Sequence, residues 1–206
     1  MIPYRLNPLG FSAWQRLIDA NTKFLLYGDL TDRAGGTAIE NHGLHSDGES
    51  VYAPADAASS YAVIPANSLP ADVLTASHDW TLEIGFDAPA NWQTLASGKD
   101  ACGLFGRNAS PRFDLFAYTS SGAITVGGII NGAGTVQTGR NYFAFQRSAA
   151  GVRKYVCNGS SPGTISADAG ELRANALYLL WLGAGTRYGY PIRINYVRMS
   201  NCLRLT

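Results

Sequence analysis

From Lys23 onward, large apolar residues recur at every second position. Trp80, Leu82, Ile84 and Phe86 alternate with Asp79, Thr81, Glu83 and Gly85, which places four large apolar groups on one face of a strand and small or polar groups on the other. Phe113 and Leu115 behave likewise beside Arg112 and Asp114, and Ile192, Ile194 and Tyr196 beside Arg193, Asn195 and Arg198. The same reading predicts strands over 23–27, 61–64, 123–130, 142–148, 152–158 and 177–182. Glycine-rich breaks separate them, at Arg33-Ala-Gly-Gly36, Asn131-Gly-Ala-Gly134, Asn158-Gly159 and Gly183-Ala-Gly185. Many strands joined by such turns, with no long helical pattern after residue 22, predict two antiparallel sheets packed face to face.

Residues 1–22 follow a different pattern. Pro3 and Pro8 fix an extended start, and Phe11, Trp14, Leu17 and Ile18 then recur at helical spacing behind Ser12, a residue suited to cap a short helix. The chain divides into an N-terminal arm with a short helix, 1–22, and a sandwich domain, 23–206. Two roles are open for the apolar stripe: it closes over its own sandwich, or it docks on a neighbouring subunit. On the second reading Tyr4, Phe11 and Trp14 form a partner-binding arm.

The length of 206 residues suits one large β sandwich. Apolar residues make up 46% of the chain, enough to fill a core, whereas charged residues make up only 15%, so Ser, Thr, Asn and Gly must cover much of the surface. A net charge of +1 with scattered arginines argues against nucleic acid as a partner. The start lacks a basic region followed by an apolar run, and no stretch approaches the roughly 20 apolar residues of a membrane span. A soluble product of the cytosol is expected, without membrane insertion. Cys102, Cys157 and Cys202 are too few and too widely spaced for a disulfide framework or a zinc site, and are expected to be buried thiols.

Several phrases together resemble the laminin-G-like, concanavalin-A-like jelly-roll superfamily. Phe24-Leu-Leu-Tyr-Gly-Asp-Leu-Thr-Asp-Arg-Ala-Gly-Gly36 resembles its first strand with the aspartate and glycine turn that follows, and Tyr61-Ala-Val-Ile-Pro65 the strand leading to its central phrase. Asp79-Trp-Thr-Leu-Glu-Ile-Gly-Phe86 is similar to that central phrase, of the type aromatic, Thr, apolar, Glu, apolar. Asn141-Tyr-Phe-Ala-Phe-Gln-Arg147, continuing to Val152-Arg-Lys-Tyr-Val-Cys-Asn-Gly159, resembles its paired strands ending in a Tyr-Val-Asn-Gly hairpin. Leu182-Gly-Ala-Gly185 and Ile192-Arg-Ile-Asn-Tyr-Val-Arg198 complete the order. The resemblance covers about 23–206 and implies an all-β, two-sheet antiparallel jelly-roll sandwich. In addition, Pro3-Tyr-Arg-Leu-Asn-Pro-Leu-Gly10 resembles the leader of some tailed-bacteriophage virion proteins.

Because the superfamily includes glycoside hydrolases, the carboxylates need testing. Such enzymes hold two carboxyl groups about 5 to 9.5 Å apart. Glu83 and Asp87 share a strand face, but four residues of extended strand separate them by about 13 Å, and Gly85 occupies the intermediate position where those hydrolases carry another acid. In Asn41-His-Gly-Leu-His-Ser-Asp-Gly-Glu49, the side chains of His42, His45, Asp47 and Glu49 are metal-ligating types; the competing reading makes Asp47-Gly48 a turn and the histidines surface groups. Asp29 and Asp32 are candidate calcium donors in a segment that lacks an Asp-rich loop. There is no Gly-x-Ser-x-Gly elbow, and the glycines of 183–189 lack the lysine and helix of a phosphate loop. No catalytic residue, metal or cofactor is expected.

Recognition remains. Trp92, after Pro89, and Tyr188 and Tyr190, beside Pro191, place aromatics in expected loops, where rings stack on a sugar or fill a protein pocket, or else cover the sandwich rim. The expectation is a non-enzymatic structural or binding module. It is expected as a bacteriophage virion component, capsid-decorating or tail-associated, made in the host cytoplasm and assembled with other virion proteins or copies of itself. The alternatives are a lectin-like protein that binds a cell-surface glycan and, third, a glycoside hydrolase.

Overall fold

The computed structural model describes residues 15, 17–55, 60–96, 98–107, 113–127, 130–160, 163–165, 171–180 and 187–205. The strands are β1 (Thr22–Tyr27), β2 (Glu40–His42), β3 (His45–Ser46), β4 (Val51–Tyr52), β5 (Tyr61–Ile64), β6 (Trp80–Ala88), β7 (Ala101–Arg107) and β8 (Phe113–Tyr118), followed by β9 (Ala123–Val126), β10 (Ile130–Thr135), β11 (Gly139–Arg147), β12 (Arg153–Cys157), β13 (Gly163–Ile165), β14 (Leu177–Leu179), β15 (Arg187–Tyr188) and β16 (Arg193–Ser200). One helical turn, α1 (Trp92–Leu95), follows β6. The first sheet runs β13-β12-β11-β6-β16-β4-β3 with β1 also on β16; the second runs β10-β9-β8-β7-β14-β5-β2 with β15 also on β7. Every pair is antiparallel except β15 with β7. Two such sheets packed as a sandwich are the architecture that the alternation predicts.

Between the sheets lies one apolar core. Trp80, Leu82, Ile84 and Phe86 are all 0% exposed, because β6 pairs without interruption to β11 from Trp80 opposite Arg147 to Ala88 opposite Gly139. A slip by one residue would turn all four outward, so burial fixes the register. Phe113 of the second sheet meets Phe145 of the first edge-on, with ring centres 5.3 Å apart.

Three local expectations are corrected. The predicted strand over 123–130 ends at Val126, and the glycine-rich segment Asn131–Gly134 lies inside β10 rather than in a turn. Gly134 is there for close packing, since an added Cβ would stand 2.5 Å from the Cys157 sulfur. In β16 the pairing with β6 shifts between Ile194 and Tyr196. This bulge leaves Asn195 and Tyr196 both on the outer face and sends Val197 and Met199, both 0% exposed, into the core. The expected break at Asn158-Gly159 is a tight turn, with φ of 49° and 77° and Ser160 N–H donating to the Cys157 carbonyl at 3.0 Å.

The loop after β1 seals that strand's outer edge. Asp32 is 7% exposed. Its carboxylate accepts hydrogen bonds from the backbone N–H groups of Leu25, Ala34, Gly35 and Thr37 at 2.9–3.1 Å. Arg33 N–H donates in turn to the Leu25 carbonyl at 2.8 Å. An edge whose polar groups are used in this way offers little to another strand. No described helix is long and apolar enough to cross a membrane.

Candidate functional site

The polar side of β6 carries both candidate carboxylates, on the outer face of the first sheet. Alternation alone would leave that side in water. Instead Thr81 is 0% and Glu83 4% exposed. Glu83 stands opposite Arg198 in the register. Arg198 Nε donates to Oε2 at 2.5 Å and Nη2 to Oε1 at 2.6 Å, a two-pronged charge-assisted pair. The Tyr142 hydroxyl adds a bond to Oε1 at 3.0 Å, and Arg204 Nε lies 3.6 Å from Oε2. Burial, with Glu83 beside it, pushes the Tyr142 phenol well above its ordinary pKa. Burial also works against the Arg198 charge, but the bonds to Glu83 more than offset it and leave the guanidinium above its usual value.

Both ends of the described chain close over this half of the face. Thr81 Oγ1 donates to the Cys202 carbonyl at 2.7 Å, and the Gln146 side chain holds the backbone of Arg204 and Leu205 through three bonds of 2.7–2.9 Å. Arg198 Nη1 donates to the Leu17 carbonyl at 3.1 Å. Arg204 grips Asp19 through both carboxylate oxygens, at 2.7 and 2.9 Å. Burial acts to raise the Asp19 pKa, but the bonds and charge of Arg204 prevail and lower it. Asn201 N–H donates to the Asn21 carbonyl at 3.0 Å, which ties the two segments directly.

The other half of the face is open. Across β3, β4, β16, β6 and β11, the register lines up His45, Tyr52, Arg193, Asp87 and Arg140 in one row. Arg193 lies 4.2 Å above the Tyr52 ring centre and donates to Asp47 at 2.8 Å. The bulge brings Asn195 Nδ2 to Asp87 Oδ2 at 2.8 Å, and Arg140 Nε stands 4.0 Å from Oδ1. Gly85 makes room for Tyr196, because three ring carbons would lie 2.3–3.0 Å from an added Cβ.

The candidate metal cluster is pulled apart by the fold. His42 belongs to β2 of the second sheet, stacked on Tyr61 at 4.5 Å, whereas His45 belongs to β3 of the first, edge-on to Tyr52 at 5.9 Å. Asp47 organises the β3–β4 turn by accepting from Glu49 N–H, Ser50 N–H and Ser50 Oγ at 2.8–3.2 Å, with Gly48 at φ 85°. Burial acts to raise the Asp47 pKa, but these bonds and Arg193 lower it overall. Asp29 pairs with Arg33 at 2.5 Å and accepts from Thr31 N–H at 2.9 Å. Among the described residues no group of three or more His, Cys, Asp or Glu is placed to hold a metal ion. Adding a strong chelator is therefore expected to leave Tm unchanged, because a bound ion would stabilise the fold by mass action; a clear drop in a thermal scan would show a cation here.

Trp92 needs correction. It is 3% exposed and packed in the core, because α1 turns it inward against the loop at Gly122 rather than presenting it from a loop. Tyr190 is half-buried against the same core. The side chain of Tyr188 lies outside the described residues, as do Tyr4, Phe11 and Trp14 of the arm and most of the helix expected there. Cys102 and Cys157 are buried free thiols, pushed by burial to pKa values of about 12 and about 11, while Cys202 is half-buried. The sequence reading missed Arg198, Arg204, Gln146 and Asp19, whose only signal was an arginine aligned beside Glu83 once strands were paired.

No family model matches the sequence, and no curated protein matches it. Solved structures do. Trypanosoma rangeli sialidase in complex with sialic acid is 13% identical, with a TM-score of 0.59 over 97% of this chain and 33% of that chain. The botulinum neurotoxin serotype D binding domain is 8% identical, with a TM-score of 0.63 over 88% of this chain and 48% of that chain. The binding domain of Paraclostridial mosquitocidal protein 1 is 12% identical, with a TM-score of 0.63 over 89% and 49%. The chain thus spans about a third of the sialidase and about half of each toxin domain. At these identities the likeness defines a class of fold, a jelly-roll-like β sandwich.

Proposed function

We propose that this chain is a non-enzymatic structural or binding module that serves in a bacteriophage virion as a capsid-decorating or tail-associated protein. The observation that carries the non-enzymatic part is the fate of Glu83. A catalytic acid must reach its substrate, whereas Glu83 is 4% exposed, gripped by Arg198 and Tyr142, and covered by segments 17–21 and 201–205. Asp87 has no second carboxylate at glycosidase spacing on its strand. The virion part rests on the leader-like segment Pro3–Gly10 alone. On this reading Tyr4, Phe11 and Trp14, which precede the segment Leu17–Asn21 in the sequence, join other virion proteins or further copies of this chain.

Truncation tests this reading. Removing residues 1–14 spares β1 and the Asp19–Arg204 pair, so the shortened protein is expected to fold with a Tm within about 2 °C of the full chain. Light scattering is expected to show that the full chain assembles and the shortened one does not. A shortened protein that unfolds, or one that assembles like the full chain, would refute the docking arm.

A further inference from the structure

We propose that Asn158, in the Asn158-Gly159 turn, is a deamidation site at which loss of one side-chain amide releases the first sheet from the second at a corner of the sandwich. The change needs no partner, so it goes beyond the virion reading and does not depend on it.

The first argument is what the amide holds. Asn158 follows β12, and its backbone N–H donates to the Tyr142 carbonyl at 2.9 Å. Its side chain completes that rung of the ladder, because Oδ1 accepts from the Tyr142 N–H at 2.8 Å where a strand would offer a main-chain carbonyl. Nδ2 then reaches out of the first sheet and donates to the carbonyl of Thr135, the last residue of β10 in the second sheet, at 3.0 Å. It also donates to Asn141 Oδ1 at 3.0 Å. β10 and β12 touch here, as the close fit of Gly134 against Cys157 shows. One amide therefore bridges both sheets.

The second argument is reactivity. Asparagine is a chemically labile residue, and the atom that attacks its amide is the backbone nitrogen of the next residue. Here that nitrogen belongs to exposed Gly159. No Cβ shields it, nothing lies within 4 Å of where one would stand, and its N–H donates to no described residue. The Tyr142 N–H already on Oδ1 stabilises the negative charge that gathers on this oxygen during attack. In the step itself, Gly159 N loses a proton and bonds to Asn158 Cγ, the Cγ–Nδ2 bond breaks, and the amide nitrogen leaves as ammonia with that proton. Water then opens the cyclic imide at either carbonyl and gives aspartate or isoaspartate. Water is the only co-reactant.

The third argument is the consequence. In the acid an oxygen replaces Nδ2, so the Thr135 carbonyl and Asn141 Oδ1, each 3.0 Å away, face a negative charge instead of a donor. Asn141 cannot turn its own amide to relieve this. Its Nδ2 donates to the carbonyls of Gln137 and Gly139 at 2.8 Å, and its Oδ1 accepts from the Gln137 N–H at 2.7 Å. The corner must open.

The test holds the full chain at neutral and at mildly alkaline pH and follows its asparagines by peptide mapping. The peptide containing Asn158 is expected to gain the mass of an amide-to-acid exchange and to split into two products of equal mass, faster at the higher pH. The acid-bearing fraction, separated by its added negative charge, is expected to melt about 5 °C below the parent, and Asn158→Asp is expected to reproduce that shift. In both, the Gln137 amide should exchange faster than the global change accounts for, since its acceptor is Asn141 Oδ1. An Asn158 amide that survives the alkaline incubation would overturn the site. Deamidated protein that keeps the parent Tm and the protection of Gln137 would overturn the release of the sheets.

Discussion

Glu83→Gln is expected to lower the unfolding free energy by about 3 kcal/mol, the lower part of the range for breaking one partner out of a buried ion pair. The substitution keeps the shape and removes the charge. Arg198, with 13% of its side chain exposed, would then lack its counter-ion, and Arg204 would lose a nearby negative group. The Tyr142 hydroxyl would keep one acceptor. Denaturant unfolding reads the effect as a lower midpoint at unchanged slope. Pairing Glu83→Leu with Arg198→Met should recover much of the loss, because replacing both members of a buried pair by apolar residues of similar size is often neutral. A catalytic acid predicts the opposite sign, since active-site groups are commonly held against stability and their removal stabilises. A Glu83→Gln protein more stable than its parent would therefore refute the strut assignment and reopen the hydrolase reading.

Asp32→Ala is expected to cost a similar amount, about 3 kcal/mol, through a different mechanism. Four backbone N–H groups lose their acceptor at once. Each unmet buried amide costs about 1–3 kcal/mol, and water entering from the loop side offsets part of the sum. Asp32→Asn should fall between, because one oxygen still accepts while the new amide group opposes the Thr37 N–H. Hydrogen exchange separates this from a general loss of stability: the Leu25 amide should lose protection beyond the global change, since its bond is to the deleted carboxylate. Protection retained at Leu25 would mean that β1 finds another partner, and the edge-sealing role would be wrong.

How much of this was legible depends on the range of the interaction. The strict alternation of Trp80, Leu82, Ile84 and Phe86 shows in four consecutive pairs of residues, and burial of one face enforces it. The cover over Glu83 cannot be seen that way. It needs Arg198, Arg204 and Gln146, which are polar, distant in sequence and brought together only by strand register. A polar residue on the outer side of a strand reads as solvent-facing unless the segment lying over it is known. Gly134 and Gly159 look alike in sequence, yet Gly159 supplies a positive φ and Gly134 a space for Cys157. Tyr196 was assigned to the wrong face because one bulge inverts the alternation after Ile194, and period-two reasoning has no marker for an inserted residue.

The bond between Asn201 and Asn21 also bears on how this sandwich combines with other proteins. Entry and exit of the sandwich lie side by side, a geometry in which a domain can be spliced into a surface loop of a host without forcing that loop's ends apart. Leu17 and Leu205 lie on the same side of the molecule, over the outer face of the first sheet. The outer face of the second sheet, across the core from these segments, would then point away from whatever the module is grafted onto, so a tag or label intended to stay accessible belongs there.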